Sequence, residues 1–153
     1  MKSTANTELL KKNIFDNIAL LEKSALVLDS SLQKCRKIGL KDTYSLDELE
    51  SFESLTSRFS RTCDLLTQKV IKNFLILLQE NLHTIIDKAN YLEKVGIIDK
   101  ADDLIDLREL RNSISHEYIE NRLIFIFSDV LDYSPDLFQI IEKIKNFAES
   151  KFK

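Results

Sequence analysis

A chain that turns often needs residues that turn cheaply, and this one has almost none: its 153 residues include two glycines and one proline. Glycine supplies the positive-φ corners of tight turns and proline presets others. A many-stranded sheet, which needs a turn every ~8–12 residues, is therefore excluded in favour of long helices joined by few links.

The apolar pattern agrees. Over residues 7–36, Ile14, Ile18, Leu21, Ala25, Leu28, Leu32 and Cys35 recur at alternating steps of four and three, the seam of a helix in a bundle. Gly39 is a stop for that helix. Ser45 and Glu48 have capping-box spacing and open a second helix. Its apolar face, Leu49, Phe52, Leu55, Phe59, Cys63, Leu66, Val70, Phe74 and Leu77, extends to about residue 80, with a kink or break expected at 81–84. A shorter helix at 85–95 ends at Gly96. The next starts near Lys100, carries Leu104, Leu107, Leu110 and Ile114, and ends or bends at 116–121. A further helix is expected at 122–133. Ser134-Pro135-Asp136 then reads as the N-cap and first turn of a last helix carrying Leu137, Ile140, Ile141, Ile144 and Phe147. The expectation is one all-α domain spanning 1–153, an antiparallel helical bundle of about four main helices plus one or two short ones.

Composition bounds the function. The longest apolar runs, 74–78 and 123–127, fall far short of the ~20 residues that span a bilayer, so no membrane association is expected. Residues 1–7 are polar and lack the apolar core of a signal peptide, which makes a cytoplasmic location the expectation. Cys35 and Cys63 fall at core positions on two helices, as free buried thiols do. A net charge of −3 is unlike a general nucleic-acid binder, so any contact with RNA has to run through a local patch or be transient.

The stretch with chemistry is Leu107-Arg108-Glu109-Leu110-Arg111-Asn112-Ser113-Ile114-Ser115-His116-Glu117-Tyr118. On a helical wheel Leu104, Leu107, Leu110 and Ile114 share one arc, and Arg111 sits at its edge beside Leu104. An arginine there needs a partner or a ligand. Asn112 and His116, four apart, share a face. Two readings are open from spacing alone. Arg111 pairs with Asp106 or Glu117 while His116 caps a helix end, or Arg111 and His116 converge where the helix ends, or across two subunits.

Arg-Asn, three residues, His, one residue, Tyr resembles the motif of the HEPN family, whose tighter form is typical of HEPN toxins paired with minimal nucleotidyltransferases. The context is similar as well. Val95-Gly96-Ile97-Ile98 precedes the motif as a Gly-Ile-Ile segment does in the related nucleotidyltransferase substrate-binding proteins, two helices are expected after it, and residues 52–69 around Arg58-Phe59 look like that group's second helix. The resemblance covers about residues 45–147. The acid-rich stretch 99–106 departs from the substrate-binding proteins, which often carry an aromatic residue there, and leaves the subfamily open.

The resemblance implies a metal-independent endoribonuclease, the toxin of a toxin–antitoxin pair, with no cofactor and no metal ligands. The RNA 2′-OH attacks the adjacent phosphate and leaves a 2′,3′-cyclic phosphate and a 5′-OH. In that chemistry His116 moves a proton, as imidazoles near neutrality do. Arg111 holds phosphate oxygens as charge builds, and Asn112 orients the histidine or the phosphate. One histidine does not readily serve as base and acid at once, so a homodimer with two facing motifs and a composite cleft is expected, as the family also implies. Tyr118 corresponds to the tyrosine that the partner nucleotidyltransferase, acting as antitoxin, modifies with AMP; the alternative for it is a packing role. The RNA class, tRNA or mRNA, stays open. The alternative function is a non-catalytic substrate- or nucleotide-binding subunit of a nucleotidyltransferase.

Other residues carry less. Arg58 and Arg61 share a face near Asp64, as an RNA-contacting patch or as a surface ion pair. His83 reads as a helix-boundary residue. Two histidines and two cysteines this dispersed make no zinc site. Asp99, Asp102, Asp103 and Asp106 read as a solvated helix start that suits the dipole.

Overall fold

The computed structural model describes residues 2–116 and 120–153. Helix α1 spans Lys2–Ile38, α2 Leu46–Asp64, a π-helical stretch Leu65–Ile71, α3 Lys72–Leu77, α4 Ile85–Lys94, α5 Ala101–His116 and α6 Glu120–Phe152. The protein is an all-α helical bundle. Helices α1 and α2 run antiparallel, fastened by Ser24 to Thr62 (2.6 Å) at one end and by the Cys35 thiol to the Ser51 carbonyl (3.4 Å) at the other. Helix α6 lies antiparallel to α1, with Lys145 reaching Glu22 at 3.4 Å and Lys153 over the Phe15 ring. Helix α5 packs between α2, α4 and α6.

The seams do what their spacing dictates. Ile14, Ile18, Leu21, Leu28, Leu32 and Cys35 of α1 are buried, against Phe52, Leu55, Phe59, Cys63 and Leu66 of the second rod. Two aromatic layers mark the ends of the core: Phe52 stacks on Phe127 at 4.5 Å beside Tyr44, and Phe74 meets Phe147 and Phe152. The helix signals also hold. Gly39 and Gly96 adopt φ +78° and +80°, the left-handed corners that end α1 and α4. Ser45 and Glu48 bond each other's backbone N–H at the start of α2, and Thr84 caps α4 through the Asp87 N–H.

Two expectations are corrected and one feature is unannounced by the sequence pattern. The second rod stops at Leu77, before the expected 80, and Gln79 makes the corner at φ +60°. Within that rod residues 65–71 are π-helical, with Thr67 donating its hydroxyl to the Cys63 carbonyl at 2.9 Å. A threonine bonding back one turn competes with the backbone N–H for that carbonyl and distorts the ladder. The largest correction is at Ser134-Pro135-Asp136, which starts no helix: α6 runs through it, so one helix rather than two follows α5. Ser134 is fully buried and donates to the Val130 carbonyl at 2.5 Å, while Pro135 faces solvent. Phe127, Val130, Ser134, Leu137, Ile141, Ile144 and Ala148 form one unbroken buried seam at steps of three and four. Burying that seam on α1, α2 and α5 outweighs the ~3 kcal/mol that proline costs inside a helix.

Candidate functional site

Helix α5 presents different chemistry on the two flanks of its buried stripe, Ala101, Leu104, Leu107 and Leu110. At 100° per residue Arg108, Arg111, Asn112 and Ser115 fall on one flank and Asp103 and Asp106 on the other. The basic flank meets α2. Arg111 grips Asp64 side-on, with Nε donating to Oδ1 at 2.7 Å and Nη2 to Oδ2 at 2.8 Å. Its Nη1 donates to the Ser115 hydroxyl, and Arg108 Nη1 reaches Asp64 Oδ1 at 3.4 Å. The side chains are about a quarter exposed, 23% for Arg111 and 29% for Asp64. The hydrogen bond it donates to Asp64 raises the Arg111 pKa further above its usual value, against the opposing effect of burial.

This geometry corrects one expectation about Arg111: among the described residues its carboxylate partner is Asp64 on α2, not Asp106. Asn112 and His116 are both exposed on α5, His116 in its last turn. Asn112 and His116 therefore share the exposed face of α5, while Arg111, five residues before His116 and ~140° from it around the helix, lies toward α2. Tyr118 and Glu117 lie outside the described residues.

Arg58 and Arg61 are placed differently. Arg58 turns to α1, donating to the Ser31 hydroxyl at 2.6 Å and weakly to the Val27 carbonyl at 3.4 Å. Arg61 is exposed, and Asp64 serves Arg108 and Arg111 instead of either. His83 lies exposed in the linker between α3 and α4. Among the described residues no group of three or more His, Cys, Asp or Glu side chains is arranged to hold a metal ion. Cys35 and Cys63 are free and buried, and burial pushes the Cys63 thiol up to about 12.

The acidic flank faces α6. Burial, then the neighbouring Asp103, lifts the Asp136 carboxyl above its ordinary range; burial and Asp132 do the same for Asp129. Asp106 leads the causes that raise the Tyr133 phenol. Negative charge thus gathers along the α5–α6 side, and Asp99 there pairs with Lys143 at 2.5 Å. The acidic run is a ridge between two helices rather than only a solvated helix start.

Fold and site together define an all-α bundle with an arginine–carboxylate clamp, and no described helix is long and apolar enough to cross a membrane. Comparison of the chain with family models, with curated proteins and with solved structures returns no match.

Proposed function

We propose that the protein is a metal-independent endoribonuclease of the HEPN type, with Arg111, Asn112 and His116 as its working residues and a homodimer completing the cleft. The observation that carries this is the way Arg111 is held. Asp64 takes the Nε–Nη2 edge of the guanidinium and Ser115 one N–H of Nη1, which leaves one N–H on Nη1 and one on Nη2 for a second anion. A guanidinium fixed by a carboxylate presents its other edge in one orientation, which suits phosphate as charge develops on its oxygens. Asn112 and His116 are exposed together on the outer face of α5, with the imidazole available to accept the 2′-OH proton or to protonate the leaving 5′-oxygen. Facing motifs in a dimer supply one histidine for each task. Tyr118, two residues beyond His116, is the proposed AMP acceptor through which a minimal nucleotidyltransferase partner would silence the site.

A second reading, a non-catalytic subunit that presents substrate to a nucleotidyltransferase, is favoured by the same clamp: Arg111 is already neutralised within its own chain by Asp64. Incubation of purified protein with tRNA and with total RNA in EDTA separates the two. Cleavage by wild type, reduced at least a hundredfold in His116→Ala and in Arg111→Ala, supports the nuclease; uncleaved RNA from freshly purified, unmodified protein moves the assignment to the partner subunit.

A further inference from the structure

Beside the clamp the π-helical stretch, α3, the linker after it and α4 enclose an open cleft of about 660 Å³, a volume in the range of small-ligand sites. Its charge is the reverse of the molecule's. Lys69, Lys72, Lys88 and Arg108 line it against one carboxylate, Glu80, in a chain of net charge −3. Among the described residues none of the three lysines has an ion-pair partner, so their charge is available to a ligand. Lys69 and Lys72 are exposed, whereas Lys88 and Arg108 are half-buried.

A second observation falls at the same place. The π-helical stretch Leu65–Ile71 forms one wall of the cleft. It buries Leu66, Thr67, Val70 and Ile71 while Lys69 stays in the cleft. Such stretches give up good hydrogen-bond geometry and recur where the shifted side chains serve a ligand. Here Lys69 of the shifted segment lines the cleft together with Lys72, Lys88 and Arg108.

Arg108 belongs to both the cleft and the clamp, lining the first and bonding Asp64 in the second. From Arg108 one face of α5 leads at steps of four through Asn112 to His116, with Arg111 beside it on the α2 side. That is ~12 Å along the helix axis, about the length of three to four stacked nucleotides. We propose that the cleft holds the phosphates of a single RNA strand and sets which nucleotides flank the bond presented to Arg111 and His116. This proposal rests on the RNA-cleaving function above. Lys69, Lys72 and Lys88 each contact a backbone phosphate, and Arg108 hands the strand on to Arg111. The acidic α5–α6 ridge repels the strand from the other flank, which leaves one path along the helix.

The test is binding rather than cleavage, so that the two can fail separately. A fluorescent, fully 2′-O-methylated 12-mer cannot undergo attack by its own 2′-oxygen; its affinity is measured by anisotropy over a series of salt concentrations. Lys69→Ala/Lys72→Ala/Lys88→Ala is expected to bind at least tenfold more weakly at 0.1 M salt. Its log–log salt slope should fall by about 2, at ~0.7 per lost contact on a single strand. Lys12→Ala/Lys23→Ala/Lys151→Ala, on exposed lysines of α1 and α6, should match wild type. Equal affinity and slope in the two triple variants, or a wild type that does not bind the strand, overturns the proposal. So does displacement of the strand by millimolar inorganic phosphate or AMP with the same lysine dependence, which would assign the cleft to a free nucleotide. Lysine-dependent binding without cleavage of natural RNA keeps the cleft and removes the nuclease; cleavage indifferent to the lysines does the reverse.

Discussion

Replacing Asp64 by alanine removes the carboxylate that two arginines share, and the cost can be bracketed from the structure. Exposed ion pairs contribute ~0.2–1 kcal/mol, while removing one partner of a fully buried pair costs ~3–5 kcal/mol. Arg111 and Asp64 are 23% and 29% exposed, and the contact is two-pronged at 2.7 and 2.8 Å. Both arginines retain enough access to water to hydrate part of the charge left behind. The loss therefore lies between the limits, at about 2 kcal/mol, or a fall in Tm of about 4–8 °C for a chain of this size. Urea unfolding of wild type, Asp64→Ala, Arg111→Ala and the double variant measures it directly. The m-value should stay constant, and the cycle should show a coupling energy of about 1–1.5 kcal/mol between the two residues. The pair is shielded on the α2–α5 interface, so most of that coupling should survive 0.5 M salt. A single-variant loss below ~0.5 kcal/mol together with zero coupling would put the pair in the exposed class and refute the idea that Asp64 fixes the orientation of Arg111.

Two further outcomes follow from buried groups. The Cys63 thiol is pushed from an ordinary 9.0 to about 12, chiefly by burial. Between those values the unfolded chain loses the proton and the folded chain keeps it. Stability is thus fully present below pH 9 and falls as pH rises, at a limiting slope of about 1.4 kcal/mol per pH unit. Cys63→Ala should flatten that alkaline limb in urea titrations, and an unchanged limb would mean the thiol is not held neutral in the folded state. Pro135→Ala should raise Tm, with a gain of up to ~3 kcal/mol, because it returns an N–H to the middle of an exposed helical turn; if Pro135 opened a helix instead, the substitution would be neutral or destabilising.

What was legible beforehand was local or periodic. The seams of α1 and α2, the Ser45–Glu48 box and the two glycine stops each declare themselves within a few residues, because capping and amphipathicity act over one or two turns. Pro135 misleads because a Ser-Pro-Asp triplet is a strong local signal of a helix start. The competing evidence, Ser134 standing in phase between Val130 and Leu137, shows only when the seam is followed across it. The partner of Arg111 is 47 residues away, and no spacing rule selects Asp64 over Asp106. The π-helical stretch left a hint in Thr67, one turn after Cys63, but a threonine at such a spacing is common in ordinary helices. The basic cleft draws its lysines from three elements that meet only in the folded bundle.

The most direct measurement is the chemistry of the cut end. A defined RNA and the same strand with 2′-O-methyl groups are incubated with the protein in EDTA, and the products are read by mass spectrometry. Attack by the RNA's own 2′-OH, assisted by Arg111 and His116, predicts a 2′,3′-cyclic phosphate and a 5′-OH from the natural strand and no product from the methylated one. Cleavage of the methylated strand, a 5′-phosphate product, or cleavage that survives His116→Ala would contradict it.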